Sequence, residues 1–174
     1  MDPDPVQDPQ EYQRLLLSLL GTRDPAEVQA ATVGEWEQLT EAAGPHLRTR
    51  PAPSEWSVLL CLAHLVDAEM VNSTRYRWIL AHDQPALAGY DQDRWADTLH
   101  LEGETVAELL AVFAPLRQAN LLLWERTGPA ERQRFGLHAE RGPESYELLF
   151  RMTAGHDLFH LAQARRALST VGGA

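Results

Sequence analysis

The chain has no lysine at all and a single cysteine, Cys61. Its fifteen basic residues are therefore all arginine, scattered among twenty-five Asp and Glu for a net charge of −10. A nucleic-acid surface needs clustered positive charge, so neither nucleic acid nor an anionic membrane is an expected partner. One thiol cannot form an internal disulfide, which fits a reducing compartment. The sequence shows no apolar run that reads as a membrane span of roughly 20 residues. Its acidic, proline-rich start, MDPDPVQDPQ, resembles neither a signal nor a transit peptide, so the expected location is the cytoplasm. Strand-like alternation of apolar and polar residues is also lacking.

What is present is helix. Apolar residues make up 44% of 174 positions, with five Trp, enough for one sizeable core. Residues 1–9 read as a loosely ordered terminus, and 10–174 as one domain. EYQRLLLSLLG predicts a short N-terminal helix that Gly21 ends. In the next segment Val28, Thr32, Trp36, Leu39 and Ala43 make one helical stripe, begun at Pro25 and closed by Gly44-Pro45. Ser57 caps a second long helix that ends before Pro85. Some twenty residues without sustained period follow, long for a connector. A third helix reads from Glu104 to Thr127, with Pro115 expected to kink or divide it, and a fourth from Pro143 to Thr170. The fold class expected is all-α: a four-helix bundle, up-down-down-up, with a long crossover between the second and third helices.

The chemistry gathers in AGHDLFHLAQ, residues 154–163. Leu149, Thr153, His156, His160, Gln163 and Ala167 share a stripe, with Asp157 and Arg165 on what reads as the outward face. Residues four apart on a helix are stacked neighbours, so both imidazoles point inward together. Burying unpartnered polar groups costs about 1–3 kcal/mol each. A divalent metal would remove that cost, and so would ordinary hydrogen bonding in the core. His64, in a stripe with Cys61, Ala68 and Val71 on the second long helix, is the third ligand candidate. Three imidazoles leave one tetrahedral position open. His46, His82, His100 and His138 read as surface residues, and Cys61 as a small core residue or an extra ligand. Asp67 could orient a ligand or pair with an arginine, and Gln163 could bond near the open position. Glu69 reads as a solvated or ion-paired residue. Tyr90 and Asp91, in the crossover, could roof a pocket or pin the loop.

Three stretches carry a resemblance: PAPSEWSVLLCLAHLVDAEMV, RYRWILAHDQPALAGYDQDRWA and RMTAGHDLFHLAQ. With Pro53 to Ser57, His64-Leu65 to Asp67, and His156 to His160 in that order, the chain resembles the DinB-like superfamily. The resemblance implies one divalent ion, zinc or nickel, on His64, His156 and His160, and frequent homodimers. It also implies relation to S-transferases and isomerases that use bacillithiol or mycothiol. The expected function is thus a metal-dependent enzyme, a thiol S-transferase or hydrolase, acting on a small thiol or other small substrate. A non-catalytic metal- or small-molecule-binding bundle and a metal-free dimeric interaction domain are the alternatives. The sequence does not name a general base.

Overall fold

The structure, a computed structural model, describes residues 7–100 and 103–173. Helix α1 (Pro9–Leu20) leads into α2 (Pro25–Ala43), which starts where Asp24 accepts the Ala26 N–H at 2.7 Å ahead of Pro25. Gly44, at φ +47°, ends it in a conformation that favours glycine. The Ser57 hydroxyl accepts from Leu60 N (3.3 Å) to begin α3 (Val58–Ala81), as its sequence implied. β1 (Ala86–Leu87) and α4 (Gln92–Leu99) follow. α5 (Val106–Glu125) opens on a reciprocal capping box between Thr105 and Glu108 and runs unbroken through Pro115. α6 (Pro129–Arg132), β2 (Phe135–His138), β3 (Gly142–Ser145) and α7 (Tyr146–Gly172) complete the order.

The contacts fix the topology. Going up α2, Gln29 meets Phe150 and Thr32 meets Asp157 on α7, so α2 and α7 run parallel. His64 faces His156 while Tyr76 faces Thr153, so α3 opposes α7. Glu69 bonds Arg117, and both Ser73 and Arg77 bond Asn120, which makes α5 parallel to α3. The bundle is therefore up-down-down-up.

Two apolar clusters fill it. One joins Trp36, Leu62, Leu65, Phe113 and Leu161; the other joins Tyr76, Ile79, Trp124, Tyr146 and Phe150. Between them lies a buried polar belt of Gln29, Thr32, Glu69, Arg117, Asn120 and Asp157. α1 lies across α7, and the crossing depends on Gly155: a Cβ there would sit 2.1 Å from the Leu16 carbonyl oxygen. Every residue but glycine would push the two helices apart.

Several expectations change. The crossover is more ordered than its lack of period suggested. β1 pairs in parallel with β2, which pairs antiparallel with β3, making a small three-stranded sheet beside the helices. Strands of two to four residues are too short to show an alternation. Pro143 lies in β3, so the last helix starts at Tyr146, where Ser145 accepts from Leu148 N (3.1 Å). Among the described residues α5 has the length and composition to cross a bilayer, against the expectation that none would. It packs on α2 and α3 with Arg117 and Asn120 buried, and 22% of its most apolar stretch is buried. The expectation for residues 1–9 lies outside the described residues as far as 1–6 is concerned; α1 already begins at Pro9.

Candidate metal centre

α3 brings His64, and successive turns of α7 bring His156 and His160, to one point. Nε2 of His156 lies 3.1 Å from Nε2 of His64 and 3.1 Å from Nε2 of His160, and all three nitrogens fall within 4.8 Å of one another. Metal–nitrogen bonds of about 2.0–2.1 Å in a tetrahedron set ligand nitrogens about 3.3 Å apart, so the cluster needs little adjustment to hold an ion.

The donor set also fits a cation better than it fits itself. Nδ1 of His160 donates to Oε1 of Gln163 at 2.8 Å, which leaves its Nε2 as a bare lone pair. A neutral His156 has at most one proton to place between two neighbouring nitrogens. At most one of the two 3.1 Å contacts is a full N–H···N bond, and the other has no proton of its own. A cation at the centre would satisfy all three lone pairs.

Burial keeps these rings neutral. It holds His64 and His156 well below the ordinary imidazole pKa, with the other histidines of the cluster adding to the effect. His160 is lowered to about 4, chiefly by burial; the Gln163 bond opposes this and Arg166 adds to it. Neutral imidazole is the form that ligates a metal. Trp56 shields the cluster, its ring 4.9 Å from that of His64 and stacked 5.9 Å from that of His160, while Phe159 meets His160 edge-on.

The remaining candidates separate. Gln163 touches the site through the far nitrogen of His160, away from the open position. Cys61 is fully buried in the apolar cluster, its thiol pushed up to about 12 by burial, and is absent from the nitrogen cluster. Asp67 pairs with no arginine and bonds no ligand histidine: its carboxylate takes Nε2 of His100 at 2.7 Å, while Glu104 takes Nδ1 at 2.7 Å. His100 is thus no surface residue. Its ring is 8% exposed, and its two carboxylate partners raise its pKa against the lowering effect of burial. Asp91 caps α4 through the Arg94 N–H, pinning the crossover. Tyr90, packed on Trp95, borders the cleft.

Asp157 corrects the outward reading most sharply. It is 1% exposed and binds Arg117 through both oxygens, while Glu69 takes the other side of the same guanidinium at 2.9 Å. The charge of Asp157 mimicked a solvent face because its partner lies 40 residues away in sequence. His138 is corrected too, being 3% exposed.

A cleft of about 90 Å³ leads from His156 between α3 and α7 to Arg75, His138 and Arg141. Sequence reasoning missed this end. On α3 the signal was there, since Asn72 and Arg75 continue the turn-by-turn stripe of His64 and Ala68. On the β2–β3 hairpin no periodicity points to the site.

Comparison with known proteins agrees with this architecture. A curated relative from Geobacillus thermodenitrificans (strain NG80-2), named "Putative metal-dependent hydrolase", is 29% identical over 154 residues, 80% of this chain and 85% of that protein. The solved structure of YfiT from Bacillus subtilis, titled a probable metal-dependent hydrolase with an unusual four-helix bundle topology, superposes with a TM-score of 0.77. It does so at 18% identity over 99% of this chain and 94% of its own, a likeness of fold. The model of the DinB superfamily matches residues 12–164, and the chain belongs to that superfamily.

Proposed function

We propose that the protein is a metal-dependent enzyme of the hydrolase or thiol S-transferase class, with zinc or nickel held by His64, His156 and His160. The observation that carries this is the convergence of three neutral Nε2 atoms that cannot satisfy one another. The hydrolase names of the relatives support it. A divalent ion there would supply Lewis-acid chemistry, lowering the pKa of a water or thiol nucleophile near neutral pH.

The chain's own residues prepare that chemistry. Gln163 fixes the tautomer and tilt of His160. Trp56 and Phe159 keep water off the flanks of the cluster, and His156, half-buried, faces the cleft by which a small substrate enters. Burial keeps the Tyr90 hydroxyl protonated well beyond its usual range, so in the cleft it acts as a hydrogen-bond donor. The expected self-association is tested by the molecular mass in solution.

The direct test is metal content by plasma mass spectrometry on untagged protein purified without chelator, beside His64→Ala and His156→Ala. Near one equivalent per chain is expected in the wild type and none in either variant. Background metal in the wild type, persisting after incubation with zinc and nickel, overturns the reading.

A further inference from the structure

The cleft that starts at His156 ends in a surplus of hydrogen-bond donors. Arg75 is 5% exposed, and its Nε has no partner. Its Nη1 makes a long 3.4 Å contact to Asn72, while Nη2 serves the Ala88 carbonyl and lies 3.3 Å from Nε2 of His138. His138 in turn accepts the Glu140 N–H at Nδ1 (3.2 Å). A neutral imidazole with Nδ1 accepting carries its proton on Nε2, so that proton faces another donor, Arg75. Burial, with Arg141 and Arg75 nearby, keeps this ring neutral, its pKa lowered to about 4.

The pairing of the charges is incomplete too. Arg141 is spent on the fully buried Glu144 through Nε and Nη2, leaving Nη1 to spare. Among the described residues Arg75 bonds no carboxylate. Glu140 lies at the exposed mouth, its carboxylate over Gly89 and bonded to neither arginine. In a chain of net charge −10, Arg75 is thus a desolvated guanidinium with no bonded counter-charge at the end of the cleft, Glu140 standing at its mouth.

We propose that the cleft binds a small carboxylate-bearing substrate, its carboxylate held by Arg75, Arg141 and His138 and its reacting group directed to His156. The proposal rests on the metal-site reading for the second half of that statement. Guanidinium groups match a carboxylate in shape and charge, and such a ligand supplies the acceptor this end lacks. The length follows from the helices. Ala68 to Arg75 on α3, and His156 to Leu149 on α7, each span seven residues, about 10 Å. The walls between are apolar, Leu16, Leu149 and Met152 among them, and suit an alkyl middle. The enclosed volume of about 90 Å³ holds roughly three water-sized groups at about 30 Å³ each, so a six-carbon chain with a polar group at each end lies along the cleft with part of its length in solvent.

The experiment is calorimetric titration of the zinc-loaded protein with 6-mercaptohexanoate and 6-mercaptohexanol, and with hexanoate and hexanol, which lack the thiol. At least tenfold tighter binding of each acid over its alcohol is expected, falling below threefold in Arg75→Gln, which leaves no buried carboxylate unpaired. Arg75→Lys, keeping the charge, is expected to retain part of the preference. Wild-type protein that binds acids and alcohols alike overturns the proposal, and so does a preference that Arg75→Gln keeps in full. The metal reading is scored separately by the thiol. A hexanoate preference that persists in His156→Ala, with no thiol increment in either protein, supports the carboxylate site and removes the metal half alone.

Discussion

Arg117 and Asp157 are joined by two hydrogen bonds across the middle of the bundle, and Asp157 is the residue next to His156. The pair ties α5 to α7 at the level where α7 presents its first ligand candidate, and Glu69 extends it to α3. Thr32 of α2 donates to the same Asp157 carboxylate at 3.0 Å, so all four bundle helices meet in one charged cluster.

The cluster makes a prediction about stability. Arg117→Met removes the one cation between two buried carboxylates, and breaking a buried pair in this way costs about 3–5 kcal/mol. Glu69→Gln keeps a hydrogen-bonding group in place and leaves Arg117 paired with Asp157, so its cost is expected at about 1–2 kcal/mol. Urea unfolding of both variants measures the order. Equal losses would mean that the cation is not what holds the carboxylates.

Gly155→Ala tests the helix crossing. The new Cβ would stand 2.1 Å from the Leu16 carbonyl oxygen, a backbone atom that no rotamer change can move. α1 must lift from α7, at a cost of about 1–3 kcal/mol for the overpacking. The expected signature is local: amide exchange speeds up in α1 while α3 and α5 stay protected. Wild-type protection in α1 would show that the crossing tolerates the methyl group.

These residues also show what the sequence could and could not tell. The caps at Ser57 and Pro25 and the stripe through His156, His160 and Gln163 are local patterns, and the structure places each where its spacing implies. Asp157, His100 and His138 read as surface residues because burial depends on partners distant in the chain: Arg117, Asp67 and Arg75. The cleft's cationic end has the same origin. A charged residue looks solvated until its counter-charge is seen, and nothing local in sequence supplies that pairing.

The cluster predicts a pH dependence for the metal-free protein. In the unfolded chain a histidine titrates near 6.5, whereas buried His160 titrates at about 4. Between those values the unfolded state binds a proton that the native state refuses, so stability falls as pH drops. His160 alone accounts for about 3 kcal/mol between pH 6.5 and 4 at 1.36 kcal/mol per unit. His64 and His156 act in the same direction. His100, raised by Asp67 and Glu104, has the opposite sign: its contribution is complete below pH 6.5 and fades as pH rises through its folded value. Stability is expected to peak near neutrality, and His160→Gln to flatten the acid limb. Acid limbs of equal slope in the two proteins, followed by urea unfolding from pH 7 to 4, would rule this out.

Gln163 offers the finest test of the site because it touches no metal position. Its Oε1 accepts the Nδ1 proton of His160, which fixes the tautomer, aims Nε2 at the other two imidazoles and makes that nitrogen a stronger donor. Gln163→Leu keeps the side chain's bulk and removes the acceptor. Metal affinity, measured by competition with a chromophoric chelator, is expected to weaken about 10–100-fold. The metal-free protein should melt within a few degrees of wild type, since Gln163 is only half-buried. Gln163→Glu restores an acceptor of greater strength and is expected to recover the affinity. If Leu and Glu weaken binding equally, the loss comes from packing. If neither does, the His160 tautomer is set by the metal itself and not by its neighbour.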